Sequence, residues 1–119
     1  MANLDKKLKM DLFSNGNQEL ILPNAEITYI PNFIEKKLAD TYFKHFTSEV
    51  NWQQDDIKIF GKTYQQPRLT ALYAENNKPY SYSSIKMYPK PFTQEIENIK
   101  NKIEARINHK FTSVLLNLY

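Results

Sequence analysis

"IKIFGKTYQQPRLTALY", residues 57–73, decides how this chain folds. Alternation sets Ile57 and Ile59 on one side of a strand, with Lys58 and Phe60 on the other. Gly61-Lys62 reads as the tip of a hairpin, and Thr63–Gln66 as its return. Pro67 fixes the chain before a further strand, Arg68–Tyr73. The stretch from Ile59 to Ser84 holds five aromatic residues in 26 positions, with Glu75 its one acid.

Outward from there the elements alternate without a βαβ rhythm. Residues 1–17 carry lysines and a turn signal at "SNGN", which predicts a mobile N-terminal segment ahead of one domain over 18–119. Glu19–Leu22 and Glu26–Ile30 read as strands around Pro23-Asn24. Asn32, with Glu35 three residues on, matches a capping box for a helix. In that helix Ile34, Leu38, Tyr42 and Phe46 form an apolar face. Downstream of the central stretch, Tyr80–Ser83 is an extended segment, and Pro89 and Pro91 interrupt regular structure. A second helix begins near Thr93, shows Ile96, Ile99, Ile103 and Ile107 on one stripe, and ends at Asn108-His109. Phe111–Tyr119 is strongly strand-like. The fold class expected is α+β, with both helices on one face of a mostly antiparallel sheet.

Composition narrows the function. The chain has 119 residues, 41% hydrophobic and 24% charged, which is globular rather than disordered. It has no cysteine, which excludes disulfides and thiolate metal sites and fits a cytoplasmic protein. No apolar run reaches membrane-spanning length, and the lysine-rich start lacks the apolar core of a signal peptide. No membrane partner is expected. Between Ile57 and Pro91 stand Lys58, Lys62, Arg68, Lys78, Lys86 and Lys90 against Glu75 alone, a local net charge of +5. Cations interleaved with aromatics fit a nucleic-acid surface; a solvated lysine face is the plainer reading of the same pattern.

His45 and His109 are the only histidines, and neither belongs to a metal-ligand spacing. There is no phosphate loop and no Ser-His-Asp set. The chain does offer parts of a binding site. Phe60 beside a Gly-Lys turn is an aromatic wedge next to a phosphate-binding cation. Tyr80 and Tyr82 share one side of their strand, as base platforms or as half-buried sheet residues. Arg68 is fixed at a strand start, for a phosphate or for a structural ion pair.

The order "IKIFGK", "PRLTALY", "YSYS", "PKPFTQEIENIKNKIE" and "FTSVLLNLY" resembles the N-terminal half of the AlkB-like iron(II)/2-oxoglutarate-dependent dioxygenases that dealkylate DNA, over roughly Ile27–Tyr119. The resemblance implies an incomplete double-stranded β-helix (jelly-roll) carrying a nucleotide-recognition lid. It implies that Ile59, Phe60, Gly61 and Lys62 form the hairpin that probes the base stack, with Phe60 the intercalating finger. It places Arg68 near the lid and Tyr80, Ser81, Tyr82 and Ser83 on the wall of the alkylated-base pocket, with Tyr82 stacking on the flipped base. Asn117 and Tyr119 would contact 2-oxoglutarate. Ser84 stands where many relatives have glycine, and Thr112 replaces the more usual asparagine. The family's iron ligands would fall beyond Tyr119, so this chain is expected to hold neither iron(II) nor 2-oxoglutarate tightly. The partner expected is alkylated or mismatched DNA. A missing C-terminal half, another chain or a second copy is expected to cover the apolar strand Phe111–Leu118. A non-enzymatic nucleic-acid-binding module and a plain α+β domain are the competing readings.

Overall fold

The computed structural model describes residues 17–82 and 85–119. The expected mobile segment lies outside these, apart from Asn17. The chain divides into two compact units at Thr41 and Tyr42, inside the first helix.

In the first unit, β1 (Gln18–Leu22) and β2 (Ala25–Tyr29) make an antiparallel hairpin with Leu22 opposite Ala25. Pro23 and Asn24 form the two-residue turn, and Asn24 takes a left-handed φ of 61°. Proline followed by such a residue is type II turn chemistry. Helix α1 (Lys36–Glu49) begins later than its capping pattern predicts. Asn32 has φ 57° and lies in a turn, so it cannot cap; Glu35 precedes the helix, and its carbonyl accepts Ala39 N–H at 2.8 Å.

The second unit is built around β5 (Leu69–Ala74), which pairs antiparallel with β8 (Ser113–Leu118). Residues 70–74 are buried because the strand is covered on both faces. On one face Ala71 and Tyr73 meet Ile96, with Phe46, Val50, Trp52, Phe92, Val114 and Leu116 packed around them. Both helices therefore pack on this face, α1 through its last turns. Burial of each such apolar side chain stabilises by about 1.5–3 kcal/mol. Trp52 donates its indole N–H to the Phe46 carbonyl at 3.1 Å, satisfying a helix-end acceptor. Tyr73 is buried enough that its phenol pKa is pushed up by desolvation.

Helix α2 (Gln94–Ile107) follows its local signals closely. The Thr93 hydroxyl caps Ile96 N–H, Glu95 and Glu97 face the positive end of the dipole, and Asn108 closes the helix in a left-handed conformation. The isoleucine stripe is buried at Ile96 and rises out of the core along its length, to 50% exposure at Ile107.

Among the described residues, the expected single sheet is four two-stranded antiparallel ladders: β1–β2, β3 (Asp56–Ile59) with β4 (Lys62–Gln65), β5–β8, and β6 (Tyr80–Tyr82) with β7 (Ile85–Met87). Isolated bridges join β5 to Gln53 and to Lys90. Strand β7 (Ile85–Met87) was not legible in the sequence; three residues are too short to show alternation. Strand β8 has two distinct faces despite its apolar sequence: Val114, Leu116 and Leu118 are half-buried, Ser113, Leu115 and Asn117 exposed.

Candidate nucleic-acid interface

Strands β3 (Asp56–Ile59) and β4 (Lys62–Gln65) form the predicted hairpin, with one correction. Ile59 pairs with Lys62, so the tip is Phe60-Gly61 rather than Gly61-Lys62. A two-residue type I′ loop, whose twist matches its strands, has positive φ at both positions. Gly61 supplies φ 77° freely, and nothing lies near enough to obstruct a Cβ there. Phe60 adopts φ 50°, and its side chain is 101% exposed. A bulky residue in left-handed space is strained, and here burial gives nothing in return.

The register places Ile57, Ile59, Lys62 and Tyr64 on one face of the hairpin, Lys58 and Thr63 on the other. Ile57 packs against Leu72, Ile85 and Met87, so the first face is turned toward that cluster. Ile59 and Tyr64 lie on the same face and remain about half exposed. Tyr64 was not among the residues singled out in the sequence, although its place opposite Ile57 follows once the turn is known.

Strand β6 (Tyr80–Tyr82) pairs with β7, setting Tyr80 opposite Met87 and Ser81 opposite Lys86. Tyr80 is thus on the side of the buried Met87 and Ile85, half exposed at the rim, while Ser81 is on the reverse side. For Tyr82 the backbone alone is described, paired with Ile85, and Ser83 lies outside the described residues. Arg68 is half-buried and already engaged within the protein.

The basic stretch divides in two. Lys90 donates to the Asn51 carbonyl at 2.7 Å and lies over the Tyr73 ring, while Lys86 lies over Tyr88. Lys58, Lys62 and Lys78 are exposed, the first two on the finger hairpin.

Asn117 stands opposite Thr70 in the β5–β8 register. Thr70 is fully buried, and its hydroxyl lies 3.6 Å from the Met87 sulfur in β7. Hairpin β6–β7 and Asn117 therefore both meet β5 at one residue, and Ile57 of the finger hairpin packs against the cluster that includes Leu72, two residues further along. The Asn117 carboxamide and the Tyr119 phenol, 86% exposed, are suitable donors for a dicarboxylate such as 2-oxoglutarate. The described residues do not fit an iron centre: no three His, Asp or Glu side chains lie together. His45 faces Glu95 at 3.5 Å, and His109 sits edge-on to Phe111. No helix among the described residues is long and apolar enough to cross a membrane.

This layout can be set beside known proteins. The alpha-ketoglutarate-dependent dioxygenase alkB homolog 3 of Bos taurus is 41% identical over 101 residues, covering 80% of this chain and 33% of that protein. The human protein of the same name is 40% identical over 96 residues, with the same coverage. The chain is homologous to the AlkB-like dioxygenases. The DNA oxidative demethylase ALKBH2 of Bos taurus is 28% identical over 87 residues, covering 71% of this chain and 31% of that protein. No protein-family model matches. The chain spans about a third of the length of these AlkB-like relatives.

Proposed function

We propose that this chain is the nucleotide-recognition part of an AlkB-like dioxygenase that oxidatively dealkylates bases in DNA. The relatives named as a DNA oxidative demethylase and as alpha-ketoglutarate-dependent dioxygenases support the reaction class. In this reading the finger and tyrosine hairpins are the nucleotide-recognition lid, and β5 and β8 the first core strands of a jelly-roll. Iron(II) with 2-oxoglutarate would supply the oxidation, the metal held by donors beyond the described residues. The part assigned to this chain is to find the base and grip it. Asn117 and Tyr119 would hydrogen-bond 2-oxoglutarate.

One observation carries the reading: Phe60 is fully exposed in a strained conformation at the tip of a hairpin whose strands carry Lys58 and Lys62. A ring held this way can enter a base stack, and the lysines can hold the flanking phosphates. Tyr64, Ile59 and Tyr80 would offer apolar surface to the displaced nucleotide. By resemblance, Tyr82 and Ser83 would be assigned to the base pocket and Arg68 to the lid in this proposal.

Titration of fluorescent duplexes, matched and singly mismatched, tests it. The chain should bind the mismatched duplex more tightly, and both affinities should fall steeply with salt as counterions are released. Phe60→Ala should bind both duplexes at the matched-duplex level. Equal preference in parent and variant would remove the finger from the proposal.

A further inference from the structure

Within the second unit, the finger hairpin is entered through residues 53–55 and left at Gln66. Gln53 is bridged to β5 in both directions: its N–H donates to the Thr70 carbonyl at 2.7 Å, and Thr70 N–H donates back at 3.0 Å. The Gln53 side chain reaches two residues along the chain, where Nε2 donates to both Asp55 carboxylate oxygens at 2.8 and 2.9 Å. The Asp55 carbonyl accepts Gln66 N–H at 2.9 Å, and the Gln66 carbonyl accepts Gln54 Nε2 at 3.1 Å. Both strands are thus tied to each other at the root, and through Gln53 to Thr70 near the start of β5.

We propose that the Gln53–Asp55 contact is a brace that sets the angle of the Phe60 finger, making both side chains positioning residues for base probing. This rests on the recognition reading above. Phe60 lies five residues beyond Asp55, roughly 16 Å along an extended chain. A rotation of about 10° at the root would then carry the tip roughly 3 Å, several times the tolerance of a working site. An acid at the root of a basic hairpin opposes phosphate binding, so its use here is as an acceptor. Both residues are half-buried, where a charge-assisted hydrogen bond holds geometry better than at an exposed site. The bridge to Thr70 uses backbone alone, so side-chain changes at Gln53 leave it intact.

The test compares the parent chain with Gln53→Leu, Gln53→Lys, Asp55→Leu and Phe60→Ala, using the matched and mismatched duplexes and ¹⁵N relaxation of the Phe60 and Gly61 amides. Gln53→Leu and Asp55→Leu should lose the mismatch preference as Phe60→Ala does, keep matched-duplex binding, and show lower order at the tip. Gln53→Lys keeps a donor for Asp55 and should retain both preference and order. If Phe60→Ala loses the preference and both leucine variants keep it, the brace is wrong and the finger stands. If Phe60→Ala changes nothing, the recognition reading fails and the brace's role in base probing fails with it. Unfolding of both leucine variants would show that the contact holds the unit together rather than aiming the finger, and would overturn the proposal.

Discussion

The backbone N–H of Phe111 donates to the carboxylate of Glu104 at 2.6 Å, across the turn between α2 and β8. Lys100 reaches the same carboxylate at 3.2 and 3.3 Å, and Lys110 approaches to 3.8 Å. The Phe111 hydrogen bond holds the Glu104 carboxyl below its ordinary range; burial opposes this, and Lys100 adds to it. The contact fixes how the last strand leaves the second helix.

Its pH dependence has a definite sign. A carboxylate whose pKa is lowered by folding stabilises the native state fully above its unfolded pKa. That contribution disappears as pH falls through the folded value. Thermal melts of the parent chain should therefore show Tm falling on the acid side of the ordinary carboxylate range. Glu104→Gln should melt lower at neutral pH and lose part of that acid slope. An unchanged slope would mean that Glu104 is not the group responsible.

Phe60 gives a prediction of opposite direction. Left-handed backbone costs a non-glycine residue roughly 1–2 kcal/mol. Asparagine tolerates that conformation, and Asn-Gly is a favoured pair for a two-residue hairpin loop. Phe60→Asn should stabilise the chain by about 1 kcal/mol while abolishing the mismatch preference, the trade expected where strain serves a function. Denaturant melts and duplex titration measure the two halves. A destabilised Phe60→Asn would show that the exposed ring supports the fold after all.

The two helices were unequally legible for a physical reason. Helix α2 carries its own punctuation, a threonine cap, first-turn acids and an asparagine end, so local sequence suffices. Asn32 and Glu35 give α1 the same signature, but a left-handed turn at Asn32 replaces the cap. The finger was found and its tip misplaced by one residue, because nothing in propensity leads one to set a phenylalanine at positive φ. That conflict between local preference and structure is where a functional site is expected. The juxtaposition of Gln53, Thr70 and Asn117 was invisible, since register between distant strands depends on packing that no local pattern encodes. Tyr64 was passed over for a related reason: its face was assigned only when the turn was.

Thr93 offers a plain check on the helix. Its hydroxyl satisfies Ile96 N–H, and Ile96 is 2% exposed in the helix-side core. Thr93→Ala should cost about 1 kcal/mol, the usual loss of a cap. Ile96→Ala should cost about 2–5 kcal/mol, since it removes buried methylenes and leaves a cavity between helix and sheet. Urea denaturation ranks the two; the reverse order would mean that the core can collapse around the smaller side chain.

Among the described residues, β8 pairs with β5 on one edge and with no strand on the other. Beside it an open groove of about 240 Å³ is lined by Phe46, Ile99, Ile103, Phe111, Val114 and Leu116, with Ile96, Lys100 and Ser113 completing it. Leu115 is 38% exposed on the opposite face of the strand. An unpaired strand edge flanked by apolar surface is a template for association. The chain should therefore shift to larger species as its concentration rises in sedimentation velocity. Leu115→Lys places a charge on that strand without touching the helix-side core, and it should hold the chain monomeric to higher concentration while leaving Tm nearly unchanged. Phe111→Ala should weaken association less, because Phe111 lies before the strand and supplies groove area only. A parent chain that stays monomeric over the whole range, with a sharp unfolding transition, would show that the edge and the groove are tolerated as they stand.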